Sequence, residues 1–362
     1  MRPKAAPVVN QEALWLDAEN KTIYAYNGGI SNSEPNWFLD STTPANGLWQ
    51  FDGNSWRSSY ISPSSIFSSL NRVTSAIYAY GNGLGFALGG VQSLSTQTGD
   101  FGTIFDHTYV PGMVIYNTKT QDWYNVSTTA YTSTGITLSG AGLFVPPFGP
   151  KGLLFVFGGQ FGESDSLQLT QFDYTWFYEP YSDTWSRQKV MGDIPAVRTG
   201  QCVVGAQGDN GTFEVFMFGG TSNGDVEETV DLSAVYVLSL PSFTWTRVAE
   251  PTQGRFVHSC NVAGNRQMIS IGGVVFDRDT SIDAFKTVGG RADPWDNGFG
   301  VFDMVHLEWK SSFDPSAGAY VTPNTIKASI KQNGYYPSDW TDSKNAEKWF
   351  TQPGMSANQS TL

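Results

Sequence analysis

The 362 residues carry a net charge of −12, which excludes the basic face that a nucleic-acid backbone or an anionic bilayer requires. Aromatic residues make up 14 % and charged residues only 15 %, a balance that suits strands buried on both faces and not amphipathic helices or a disordered chain. No apolar run reaches the roughly 18 to 20 residues of a membrane span, and Met1-Arg2-Pro3-Lys4-Ala5-Ala6-Pro7 lacks the apolar core of a signal peptide, so the expectation is a soluble chain.

Residues 1–12 are expected to form a tail, and a repeat array to occupy 13–312. Ala13 to Leu16 and Ile23 to Tyr26 read as one hairpin, and Leu48 to Phe51 and Trp56-Arg57 as a second. The same four strands recur at Ala76 to Tyr80, Gly85 to Leu88, Met113 to Tyr116 and Trp123 to Val126. A third set runs through Gly142 to Val145, Leu153 to Phe157, Thr175 to Tyr178 and Trp185 to Gln188. The fourth uses Gln201 to Val204, Glu214 to Phe218, Val235 to Leu238 and Trp245 to Val248; the fifth uses His258 to Val262, Gln267 to Ile271, Gly300 to Asp303 and Trp309 to Ser312. Residues 313–362 read as a helical or irregular extension. Thr322 is the expected N-cap, Pro323 the first helical residue and Gly334 the stop, with a second short helix near Ser343 carrying Trp349 and Phe350.

In every repeat the second strand ends in a glycine pair: Gly28-Gly29, Gly89-Gly90, Gly158-Gly159, Gly219-Gly220 and Gly272-Gly273. The fourth strand carries a tryptophan, Trp56, Trp123, Trp185, Trp245 or Trp309, at steps of 60 to 67 residues. Seven positions before it stand Trp49, Tyr116, Tyr178, Leu238 and Phe302. Four-stranded meanders at this period predict an all-β propeller with five recognisable blades. Glycine tolerates positive φ and the close approach of another backbone, so each pair predicts a sharp exit where blades crowd together.

In such a meander the loops between strands two and three share a face with the blade-to-blade connections, and the one-two and three-four turns lie opposite. The two-three loops are the long ones, at 30–47, 91–112, 160–174, 221–234 and 274–299, and long loops on a rigid scaffold usually carry recognition. Candidate ligand-face residues on them are Trp37, Phe105, His107, Phe161 and Trp295, with the acids Asp225, Glu227 and Glu228 and the base Arg278. Aromatics among acids suit a basic peptide, or a carbohydrate through ring stacking.

The chemistry of catalysis is sparse. The three histidines, His107, His258 and His306, diverge, and no hydrolase, metalloprotease or nucleotide-binding motif is present. No catalytic residue, cofactor or metal is therefore expected, and His258 reads as a structural residue of its first strand. Cys202 and Cys260 lie in the first strands of consecutive blades, offset by one position when Arg198 is aligned with Arg255. That offset turns them toward the shared gap, where a disulfide would join the two blades in an oxidising compartment; buried free thiols are the alternative. Asn20, Asn125, Asn210 and Asn358 head glycosylation sequons.

Glycine pair, aromatic and tryptophan at fixed spacing resemble the kelch repeat across roughly 13–312. The runs from Val235 to Trp245, Arg255 to Cys260, Arg266 to Met268 and Gly300 to Met304, then Trp309-Lys310, further resemble the secreted or membrane-anchored kelch ectodomains of filamentous fungi. That resemblance implies an extracellular or cell-surface glycoprotein, a parent ring of six blades, and a signal and membrane span flanking the region seen here. A cytoplasmic location is the alternative. The expected function is non-catalytic recognition of a protein or glycan partner through the long loops. A galactose-oxidase-like or other carbohydrate-active enzyme and an intracellular kelch scaffold are the alternatives.

Overall fold

Along Ala13–Asp17 burial alternates strictly from residue to residue, the period of two that a pleated strand with one covered face imposes. Leu84–Leu88 and Leu153–Phe157 are instead buried throughout, because each lies between two other strands and is covered on both faces. The computed structural model describes residues 9–30, 47–58, 65–96, 106–162, 166–222, 233–249, 254–275, 293, 295 and 297–352. Its described strands form the blades of an all-β kelch-type propeller, each an antiparallel meander in the order one-two-three-four.

The chain divides into two compact units, one comprising Met1–Ser139 with Gln160–Gln168 and the other Gly140–Gly159 with Leu169–Leu362. The first holds two blades, built from Ala13–Asp17, Thr22–Tyr26, Leu48–Phe51 and Trp56–Ser58, then Ile77–Gly81, Leu84–Leu88, Met113–Asn117 and Trp123–Val126, with the short helix α1 at Ser65–Ser69. The second holds three: Ala141–Val145, Leu153–Phe157, Tyr174–Glu179 and Thr184–Lys189; Thr199–Gln207, Phe213–Thr221, Val235–Leu240 and Thr244–Ala249; and Ser259–Ala263, Gln267–Ile271, Phe299–Asp303 and Glu308–Lys310.

Two features of the first blade differ from the sequence expectation. Its glycine break is Asn27-Gly28 and not Gly28-Gly29. Asn27 has φ 66° and Gly28 φ 88°, matching 64° and 109° at Gly89-Gly90 and 75° and 99° at Gly219-Gly220. Asparagine is the non-glycine residue best suited to the left-handed region, so it fills the first position and shifts the visible pair by one. Second, the aromatic opposite Trp56 is Phe51, whereas Trp49 faces Ser58. In the other blades the seven-residue spacing does mark cross-strand partners, Tyr116 with Trp123, Tyr178 with Trp185, Leu238 with Trp245 and Phe302 with Trp309. The first blade's three-four turn is two residues shorter, which moves the pairing onto Phe51.

Four of the five three-four turns, all but that of the fourth blade, share a device. The side chain just after the aromatic accepts two backbone N–H groups of the turn, through one oxygen at Asp52 (from Asn54 and Ser55), Asn117 (from Lys119 and Thr120) and Asp303 (from Val305 and His306), and through both carboxylate oxygens at Glu179 (from Tyr181 and Ser182). The side chain thereby replaces the missing ladder partner and closes the strand-to-strand reversal.

The break itself joins neighbours. The second residue's N–H donates to the carbonyl of the segment entering the next blade, Gly28 to Val73 at 2.9 Å, Gly90 to Thr137 at 2.9 Å and Gly159 to Arg198 at 3.0 Å. A Cβ at Gly89 would overlap the Thr137 carbonyl oxygen, and one at Gly219 would overlap that of Arg255. At Gly272, in the fifth blade, a Cβ meets nothing within 4 Å among the described residues.

The C-terminal segment packs against the short-turn side of the second unit. Helix α2 spans Asn324–Asn333 and ends at Gly334, and helix α3 spans Ala346–Thr351. Trp349 and Phe350 enter the core of the third and fourth blades, Phe350 lying 4.6 Å from Phe148 and 4.8 Å from Phe243 between ring centroids. The cap residue of α2 is Pro323, with no side-chain capping bond. Thr322, the expected cap, has its hydroxyl drawn instead to Thr212 at 3.3 Å and Glu214 at 3.5 Å in the fourth blade. Val9–Asn10, within the expected tail, pairs with Gly29–Ile30.

Gly219→Ala and Gly272→Ala separate backbone strain from crowding, since both sites have similar φ, 75° and 69°. Alanine at 272 should cost the roughly 1–2 kcal/mol of a left-handed residue, and alanine at 219 distinctly more because its methyl strikes the Arg255 carbonyl. Parallel denaturant unfolding decides it; equal losses would show that the close approach is not what requires glycine.

Candidate functional site

Each long loop rises from a stem that sequence periodicity did not reveal. Past the glycine break the first hairpin resumes for one or two residues: Val9–Asn10 with Gly29–Ile30, Thr74 with Val91, Thr137–Leu138 with Gln160–Phe161, Thr199 with Thr221, and Arg255–Phe256 with Val274–Val275. Ladders this short carry no alternation to read, and only the recurrence across blades exposes them.

On the second blade's loop His107–Tyr109 runs antiparallel to Val91–Ser93. His107 and Tyr109 share a strand face, their rings meet edge-on at 4.9 Å and the His107 Nε2 lies 3.0 Å from the Tyr109 hydroxyl, with His107 exposed. Phe161 is half-buried on the third blade's stem opposite Thr137. These candidates therefore occupy separate stems. Trp37, Phe105, Asp225, Glu227, Glu228, Arg278 and Asn358 lie outside the described residues.

Trp295 is held by a charge cluster that motif reading did not foresee. The fully buried Arg255 guanidinium donates to the Gly272 carbonyl at 2.7 Å and to both Asp293 carboxylate oxygens at 3.1 and 2.8 Å. It lies 3.8 Å from the Trp295 ring centroid, a cation–π contact that is strong because the ion is desolvated. Trp295 also packs 5.7 Å from Trp309 and over Gly300, where a side chain would collide with the indole. The hydrogen bond from Arg255 holds the Asp293 carboxyl below its ordinary value. Arg198 repeats the pattern one blade earlier, donating to the Gly219 carbonyl at 3.0 Å beside Tyr236. Each arginine thus ties the entry segment of its blade to that blade's own glycine break.

Cys202 and Cys260 are joined as a disulfide with Cα atoms 5.6 Å apart. His258, which stands just before the fifth blade's first strand, packs edge-on against Phe218 at 5.3 Å. Burial, then the positive charge of Arg255, pushes the imidazole down to about 3, so it is neutral at physiological pH.

The most displaced acid is Glu214, fully buried in the fourth blade under the C-terminal segment. Burial lifts it to about 7, and repulsion from Asp209 adds to that, against the pull of the Thr212, Tyr320 and Thr322 hydroxyls. Asp209, bonded by Lys327 at 2.8 Å, is instead lowered to about 2. A perturbed carboxyl often marks a catalytic site, but this one is closed to substrate and acts between blade and extension.

The chain is similar to a kelch repeat-containing protein of Arthroderma benhamiae, 28 % identical over 183 residues that cover 49 % of this chain and 24 % of the relative. Kelch-type repeats are supported. The match spans about a quarter of that relative's length, and no family model matches the chain.

Stability should fall as pH rises between about 4.5, where unfolded Glu214 loses its proton, and about 7, where the folded one does. The folded state holds the extra proton in that window, and full ionisation costs about 3 kcal/mol. Glu214→Gln should flatten this descent in denaturant titrations at pH 5 and 8; an unchanged slope would place the pH dependence elsewhere.

Proposed function

We propose that the protein is a non-catalytic recognition propeller which binds a basic peptide segment of a protein partner, or a glycan, through its long two-three loops. The observation that carries this reading is the division of labour between the blade ends. At one end the first hairpin of each blade is prolonged past the glycine break into a stem for the long loop. At the other, in the second unit, the short turn at Asp209 and Asn210 is engaged by Thr322, Lys327 and Tyr335, and Gly149 by Trp349. Rigid stems reduce the ordering entropy of a binding loop, and exposed His107 with half-buried Tyr109 presents an aromatic surface on one of them.

An extracellular or cell-surface location belongs to the same proposal. A disulfide between blades favours an oxidising compartment, and Asn20, Asn125 and Asn210 are all exposed, as a glycan requires. Protein secreted from a eukaryotic host should migrate faster after enzymatic deglycosylation, and the shift should disappear when these asparagines are changed to glutamine. No shift in the wild type would count against secretion.

Reversing Asp225, Glu227 and Glu228 to lysine should weaken capture of immobilised Lys/Arg-rich peptides by about tenfold or more, chiefly through slower association that salt also suppresses. His107→Ala with Tyr109→Ala should weaken glycan-array binding instead. Retention of both kinds of binding by the combined variant would remove this face from the model.

A further inference from the structure

Cys202, His258 and Cys260 form a constellation that loop-mediated recognition leaves unused. The two Sγ atoms and one ring nitrogen of His258 all lie within 4.8 Å of one another. The topology explains the convergence. Cys260 lies in the fifth blade's first strand, His258 stands immediately before that strand, and Cys202 reaches both from the first strand of the fourth blade. Both His258 ring nitrogens are shut off from solvent and have no hydrogen-bond partner among the described residues. An unpaired buried imidazole is costly, and a ligand is one way to satisfy it.

We propose that the reduced form of this site binds one thiophilic d10 ion of the Zn2+ class through Cys202, Cys260 and His258, and that the disulfide is the metal-free state. A dithiol reductant supplies the electrons: its two thiols become one disulfide, and the Cys202–Cys260 bond takes up two electrons and two protons to give two thiols. Metal binding then releases both protons, leaving two thiolates whose charge the dication balances.

The spacing suits such an ion. Zn–S bonds of about 2.3 Å and Zn–N bonds of about 2.0 Å in a tetrahedral site place the donor atoms about 3.5 to 3.8 Å apart, so the sulfurs must separate while the imidazole moves little. Two soft thiolates and an imidazole favour Zn2+ over hard cations such as Mg2+ or Ca2+. Three protein ligands leave the fourth position open. Arg255, the cation nearest the imidazole, is already paired with Asp293 at 2.8 Å, which limits its repulsion of an incoming metal. The surrounding side chains, Phe218, Phe302 and Trp309 among them, are apolar and shield a metal–thiolate bond from water.

The test is anaerobic titration of the intact chain with Co2+ before and after dithiol reduction and removal of the reductant. The reduced protein should take up one equivalent, with a sulfur-to-cobalt charge-transfer band and the d–d bands of a tetrahedral centre, and the oxidised protein should show neither. Cys202→Ser and Cys260→Ser should weaken binding and dim the charge-transfer band. His258→Ala should weaken binding by at least the roughly tenfold that loss of even an orienting partner costs, and should shift the d–d bands. Zn2+ should raise the Tm of the reduced wild type and not of the oxidised one, a comparison that needs no variant to fold. Absence of the cobalt bands, equal uptake by oxidised protein, or unchanged affinity and spectrum in a folded His258→Ala variant would overturn the proposal. So would loss of the near-ultraviolet circular dichroism on reduction, because the site needs both blades in place.

Discussion

A left-handed backbone at the end of every second strand is the constraint on which the rest of this structure depends. Strands of a meander reverse only at their turns, yet here the second strand breaks sharply before entering a long loop. At the break the amide is presented to the neighbouring entry segment, whose carbonyl it reaches at 2.9 to 3.0 Å in the three places where Gly28, Gly90 and Gly159 donate. At Gly89, Gly158 and Gly219 a side chain in the first position would run into the carbonyl oxygen of that entry segment, whereas the first blade accommodates Asn27 there. Hydrophobic burial supplies most of the driving force in such blades, but it is non-directional. The backbone contact determines which edge of one blade faces the next.

Buried arginines reinforce the same place from within each blade. Arg198 and Arg255 bring a charge into an apolar setting, which is tolerable only because backbone carbonyls, a carboxylate at Arg255 and aromatic faces at both surround it. The result couples entry segment and break within one blade, and through Asp293 and Trp295 it also reaches the end of the fifth blade's long loop.

The C-terminal segment has the opposite character. It contributes Trp349 and Phe350 to the core between blades, and closes over Glu214 with Tyr320 and Thr322. Ionisation of one carboxyl is thus tied to how the extension sits on the fourth blade. At the other end of that blade, Cys202 and Cys260 link it covalently to the fifth. The second unit is therefore joined by three different kinds of force at three places: ring packing, a buried polar cluster and a covalent bond.

Strand positions, blade period and the two C-terminal helices were legible from the chain, because alternation, glycine breaks and a recurring tryptophan are local signals repeated five times. Where a local signal had a substitute, reading failed: Asn27 stands in for glycine through its tolerance of positive φ, and Phe51 takes the aromatic place because a turn lost two residues. The exposure of His107 and the containment of Trp295 were equally hidden, since both loops looked alike in composition. By itself the sequence determined the repeat and the apolar faces, for these follow from periodicity within one blade. Only the tertiary structure decided that Thr322 serves Glu214 and not the helix it precedes, that Arg255 holds Trp295, and that His258 stands beside the two cysteines. The first two contacts join residues 108 and 40 positions apart and the third sets a ring against a neighbouring strand, and chain-local physics carries no information at that range.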